Sequence, residues 1–241
     1  MSPTRQTLSP AEHLPAQAAT APAPVRIALV HALAHASEPI NHAFARDWPE
    51  AQRMNLLDDS LSADLARSAQ GLDAAMHDRF ARLADYVVAT GANGILFTCS
   101  AFGSCIEAVA LAHPNIAVLK PNEAMVAEVV DKLGPGGRLG LIATFPATLQ
   151  SMPSEFPPHV MLELALAEGA LDALNRGDAD THDRLIADKA RDLAQRGCSH
   201  IALAQFSMAR ARQACEAASG LPVMTTVDSA VRGLRARLAS G

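Results

Sequence analysis

Residues 95–100, Ile95-Leu96-Phe97-Thr98-Cys99-Ser100, read as a buried strand that ends on a thiol, with a turn and a helix behind it. A second stretch, Ile201-Ala202-Leu203-Ala204-Gln205-Phe206-Ser207, has the same shape and carries Gln205 where the first carries Cys99. The pairing extends outward. His77-Asp78-Arg79-Phe80 matches His182-Asp183-Arg184-Leu185 at an offset of 105 residues, and Ile95 matches Ile201 at 106. Ile116-Ala117-Val118 matches Leu221-Pro222-Val223 at 105, and Arg26-Ile27-Ala28-Leu29-Val30 matches Arg138-Leu139-Gly140-Leu141-Ile142 at 112. Four elements at nearly one offset imply an internal duplication.

Between the matched strands the pattern alternates. Short apolar runs at 26–30, 53–57, 95–98, 116–119, 138–142, 160–166, 201–204 and 221–224 read as strands. Helical segments are expected at 40–48, 77–89, 102–113, 122–133, 169–175, 181–196, through Arg212 and Cys215, and at 228–238. Alternating strands and helices imply mainly parallel sheets covered on both faces, and hence an α/β fold of two pseudo-symmetric lobes with a site in the cleft between them. Gly134-Pro135-Gly136-Gly137 is the strongest punctuation in the chain. It divides a first lobe, 25–134, from a second, 135–241, whose final helix is free to pack back on the first. Residues 1–24, rich in Pro, Ala, Thr and Gln, read as a disordered tail.

The 241 residues are 49 % apolar but only 4 % aromatic, so the core is aliphatic. A net charge of −5 argues against a nucleic-acid footprint. No apolar run reaches the roughly 18 residues of a membrane span, and the N-terminus lacks the layout of a signal peptide. The four cysteines show no CxxC spacing, and the nine histidines form no HExxH pattern, so no metal site is expected. Free thiols fit a cytoplasmic protein.

In open parallel sheets ligands bind beyond the carboxyl ends of the strands, where Cys99 and Gln205 both lie. Amides and a helix dipole behind Cys99 are expected to favour its thiolate. Thr98, Ser100 and the amides from Ala101 onward stand beside it as carboxylate donors, and Thr144 and Thr148 supply donors from the opposite wall. Gln205 and Ser207 end the repeated strand. His31 follows the first strand as a candidate second acid or base, and Asp59 and Ser60 follow the second, as site residues or a helix cap. Cys105, Cys198 and Cys215 are read as packing residues.

Taken together, Phe97-Thr98-Cys99-Ser100, Leu141-Ile142-Ala143-Thr144 with Thr148, Gly177-Asp178 through His182-Asp183, Leu203-Ala204-Gln205-Phe206-Ser207-Met208-Ala209 and Leu221-Pro222-Val223-Met224 with Ser229-Ala230-Val231 resemble the aspartate/glutamate/hydantoin racemase superfamily over residues 26–239. The resemblance implies a cleft between two lobes, a small carboxylate-bearing substrate, no cofactor, and often a homodimer. It also implies two cysteines, one per lobe, acting on opposite faces of a substrate carbon. Here Cys99 is the first and Gln205 stands in place of the second. An amide does not shuttle protons near neutral pH. Three functions follow: an isomerase acting next to a carboxylate with Cys99 as proton carrier, a one-cysteine decarboxylase similar to the arylmalonate type, or a catalytically silent carboxylate binder.

Overall fold

The structure is a computed structural model and describes residues 24–134 and 136–239. The expected N-terminal tail therefore lies, but for Pro24, outside the described residues.

The first half runs β1 (Arg26–His31), α1 (Ser37–Asp47), β2 (Gln52–Leu57), α2 (Ser60–Arg67), α3 (Ala74–Ala89), β3 (Gly94–Phe97), α4 (Gly103–Ala112), β4 (Ala117–Leu119) and α5 (Glu123–Lys132). The second runs β5 (Arg138–Ala143), α6 (Pro146–Ser151), β6 (Met161–Leu166), α7 (Ala170–Asn175), α8 (Ala179–Gln195), β7 (His200–Leu203), α9 (Arg212–Ser219), β8 (Val223–Thr225) and α10 (Thr226–Ala239). Short 3₁₀ segments add Ala34–Ala36, Ser100–Phe102, Met152–Glu155 and Phe206–Ala211. The strands form two four-stranded sheets, ordered β2-β1-β3-β4 and β6-β5-β7-β8. Every pairing is parallel. The duplication read in the sequence is thus a duplication of topology, and the two-lobed α/β architecture is as expected.

Side chains alternate across each sheet. Ala28, Val30, Ile95 and Phe97 enter one core with Phe80 of α3 and Ile106 of α4, while Ile27, Leu29 and Leu96 enter another on the opposite face. That second core is closed by Phe44 of α1 and by Phe206, Val227, Val231 and Leu234 from the other half of the chain. The exchange is reciprocal. Met125, Val126 and Val129 of α5 pack on Leu139, Leu141, Ala143 and Ala202 of the second sheet. Each half therefore lends its last helix to the other half's sheet. The Gly134–Gly137 segment divides the repeats along the chain, whereas the cores are shared across it.

Close packing of α8 on β5 depends on Gly140. A Cβ there would lie 2.8 Å from Leu193 Cδ1 and 2.9 Å from Ile201 Cδ1. The counterpart of α2 in the second half is the shorter α7: β6 leads through Ala167 and Gly169 into α7 and then α8. In the first half, Asp58-Asp59-Ser60 leads into the eight-residue α2, with Asp59 at the N-cap position but without a side-chain cap hydrogen bond.

Candidate active site

Cys99 lies two residues beyond β3, in extended backbone, as the residue before the Ser100–Phe102 turn. It keeps partial exposure and packs at the edge of the core formed by α3 and α4. Ala101 N–H and the Ser62 hydroxyl of α2 sit at its sulfur and draw its pKa down, but burial outweighs them and pushes the thiol up to about 11. This corrects the expectation of a thiolate. Only a one-turn 3₁₀ segment follows the sulfur and α4 begins at Gly103, so no full helix terminus is aimed at Cys99. Ser62 also donates to the Ala32 carbonyl at 2.7 Å. At neutral pH Cys99 rests as a proton donor.

Gln205 repeats this placement in the second lobe. It lies two residues beyond β7 and precedes the Phe206–Ala211 turn, with φ −135° and ψ 145° against −123° and 119° at Cys99. The two positions are backbone counterparts with different chemistry. Gln205 is 8 % exposed, and its Oε1 accepts from Thr144 N at 2.6 Å and from Thr144 Oγ1 at 3.0 Å. With its carbonyl end held twice, the amide presents Nε2 as a donor.

Ser100 and Thr148 meet across the lobes, with Ser100 Oγ donating to Thr148 Oγ1 at 3.3 Å. Ser151 Oγ reaches the Ser100 carbonyl at 3.2 Å. The α6 segment thereby closes over the Cys99 turn, with Phe145 and Ala147 packed on the same core. Sequence reasoning missed the continuation of this junction. Asn122 Nδ2 donates to Glu155 Oε2 at 2.8 Å, and Lys120 Nζ stands 3.8 Å from the same oxygen. Burial raises the Glu155 carboxyl above its ordinary value, against the pull of Lys120 and Asn122. Asn122 is wholly buried and its Oδ1 has no partner among the described residues. The Lys120-Pro121-Asn122 run follows the end of β4, and that position is the one available signal.

Other expected site residues are placed differently. His31 is the last residue of β1 and is 0 % exposed. Its Nε2 is 2.9 Å from Asn55 Oδ1, which also accepts from Asn41 Nδ2 at 2.8 Å. The Nε2 proton therefore goes to Asn55, and Nδ1 accepts from Thr98 Oγ1 at 2.9 Å. Burial lowers the His31 pKa, so the ring is neutral and braces β1, β2 and β3. Both nitrogens are occupied, which takes it out of the role of second-face acid or base. Thr98 belongs to the same brace. Asp59 and Ser60 are exposed at the start of α2, and Ser60 bonds Asp58 and Arg79 rather than the Cys99 turn. Ser207 lies on the wall of a separate cavity of about 520 Å³ that none of Thr98, Cys99, Ser100, Ala101, Thr144, Thr148 or Gln205 lines.

Among the described residues, no group of three or more His, Cys, Asp or Glu is arranged to hold a metal ion, and no helix is long and apolar enough to cross a membrane.

The sequence profile of the Asp/Glu/Hydantoin racemase family matches residues 34–234. The chain belongs to this family. No curated protein matches it. Among solved structures, a glutamate racemase from Bacillus anthracis is similar over 90 % of this chain and 82 % of its own, with a TM-score of 0.71 and 10 % identity. An allantoin racemase from Klebsiella pneumoniae covers 90 % of this chain and 89 % of its own, at TM-score 0.64 and 17 % identity. A glycine-to-cysteine mutant of arylmalonate decarboxylase covers 90 % and 94 %, at 0.59 and 17 %. At these identities the likeness concerns the fold. Members of this racemase family are thus expected to share the chain's two-lobed frame, and the chemistry of this member rests on its own side chains.

Proposed function

We propose that the protein is a cofactor-independent enzyme that transfers a proton at a carbon next to a carboxylate from one face only, with Cys99 as the proton donor. The observation that carries this reading is the contrast between Cys99 and its backbone counterpart Gln205, whose carbonyl oxygen is held by Thr144. A resting thiol suits protonation of an enediolate, and an amide donor suits stabilisation of its oxygens. Release of carbon dioxide from a substituted malonate leaves such an enediolate and needs one proton from one side. The C–CO₂⁻ bond breaks, its electron pair enters the enediolate, and the Cys99 proton then forms the new C–H bond. Water returns a proton to the sulfur after product leaves. The hydroxyls of Ser100 and Thr148, which meet at 3.3 Å, are the donors that would hold the retained carboxylate.

Isomerisation is the second reading, and membership of the racemase family favours it. It requires a second proton carrier at the β7 end, where Gln205 and Ser207 have none to offer near neutral pH. The test is a panel of substituted malonates, amino acids and hydroxy acids, read for carbon dioxide release and for α-proton exchange in heavy water. The proposal expects carbon dioxide from at least one malonate, lost in Cys99→Ala. Racemising exchange of an amino or hydroxy acid would select the second reading. Turnover that survives Cys99→Ala would remove both.

A further inference from the structure

The two lobes meet at two pseudo-equivalent junctions, and only one is filled. At the first, α6 and the Met152–Glu155 turn close on the ends of β3 and β4 through Ser100, Asn122 and Glu155. At the second, α1 and the Ala34–Ala36 turn approach the ends of β7 and β8 but leave the cavity of about 520 Å³. That volume is within the usual range for small-molecule sites, about 300–1,000 Å³. His35, Glu38 and Arg46 line it from the first half of the chain, and Ser207, Arg210 and Arg212 from the second.

Ser207 is 2 % exposed and its Oγ has no hydrogen-bond partner among the described residues. A buried hydroxyl left unpaired costs stability, and its usual explanation is a missing ligand or water. Ser207 and Arg210 both belong to the Phe206–Ala211 turn, which is 3₁₀. In a 3₁₀ turn side chains at i and i+3 leave the backbone on the same side, and both residues line the cavity. Arg210 spends Nε on Asp183, at 3.0 and 3.2 Å, and its two terminal nitrogens make no hydrogen bond among the described residues. Of the two acids on the wall, Asp228 is already shared by Arg46 and Arg212, and Glu38 is exposed at the rim.

We propose that this inter-lobe cavity is a binding site, separate from the Cys99 turn, for a small molecule carrying an oxyanion. The Ser207 hydroxyl donates to one oxygen from the floor, and the terminal nitrogens of Arg210 take the anion at the mouth. Because its walls come from both halves, the ligand adds to the Arg46–Asp228 pair in tying the lobes together at this junction. A carboxylate and a phosphate share the required chemistry.

Isothermal titration of the full chain with succinate, with inorganic phosphate and with neutral succinamide tests this. Saturable binding of at least one anion and none of succinamide is expected, and the tighter anion identifies the class. Loss of one charge-assisted or buried hydrogen bond predicts about tenfold weaker binding in Ser207→Ala and again in Arg210→Gln. Circular dichroism confirms folding of both variants, and Cys99→Ala retains wild-type affinity. The site is refuted if neither anion saturates or if succinamide binds as well as succinate. It is equally refuted if both cavity variants bind like wild type, or if Cys99→Ala abolishes binding and so places the anion at the thiol.

Discussion

The ends of β3 and β7 are the same backbone device with opposite contents. Each strand runs two residues past its last pairing, turns through a 3₁₀ segment and enters a helix. At β3 the device holds a protonated thiol between Ser62 and the Ala101 amide; at β7 it holds an amide whose oxygen is spent on Thr144. The junctions around them diverge in the same way. The one beside Cys99 is knitted by Ser100–Thr148 and Asn122–Glu155, whereas the one beside Ser207 keeps a cavity and a rim pair, Arg46–Asp228. Duplication fixes where strand ends point, and the side chain placed there decides whether it carries a proton.

The sharpest way to break this asymmetry is to remove the sulfur. Cys99→Ala is expected to lower turnover about 10²–10⁴-fold, the usual contribution of a positioned acid, with thermal stability nearly unchanged. Placing a sulfur on the other side is the converse: Gln205→Cys is expected to add exchange from the second face, read as loss of optical purity in product, while one-sided turnover falls because the Thr144 contacts are lost. Between the junctions, Glu155→Ala leaves the Asn122 amide buried without a partner and is expected to cost about 1–3 kcal/mol in urea unfolding. Arg46→Ala removes an exposed pair and is expected to cost at most about 1 kcal/mol.

The smallest effect is a pH dependence. Because Glu155 has a folded pKa above its unfolded one, the folded state binds more protons than the unfolded state between the two values. Stability therefore declines as pH rises from the ordinary glutamate value of 4.5 through the raised one. Glu155→Gln is expected to flatten that part of the stability profile; an unchanged slope would show that the carboxyl is solvated.

Much of the frame was legible in the sequence because it is local. All eight strands follow from short apolar runs, and the offsets between His77 and His182 or Ile95 and Ile201 gave the duplication. Their strand ends, with Cys99 and Gln205, followed from it. What escaped was decided by contacts between distant segments. Amphipathic spacing shows that α5 has an apolar face, but Met125 and Val129 cover the second sheet rather than their own. Glu155 carries no local signal, because its partner Asn122 lies 33 positions away. His31 lies at the end of an unbroken apolar run, and that run, rather than the neutral-pH chemistry of imidazole, was the better guide to its burial. The Cys99 pKa was misjudged in sign because the expected helix terminus is a single 3₁₀ turn, too short to offset desolvation.

The central claim is that one sulfur serves one face of the substrate carbon. Turnover of a prochiral substituted malonate in heavy water, followed by chiral separation and deuterium NMR of the product acid, tests it most directly. The account predicts a single enantiomer bearing one deuterium at the α-carbon, with that product absent in Cys99→Ala. A racemic product, or the same label delivered without the sulfur, would contradict it.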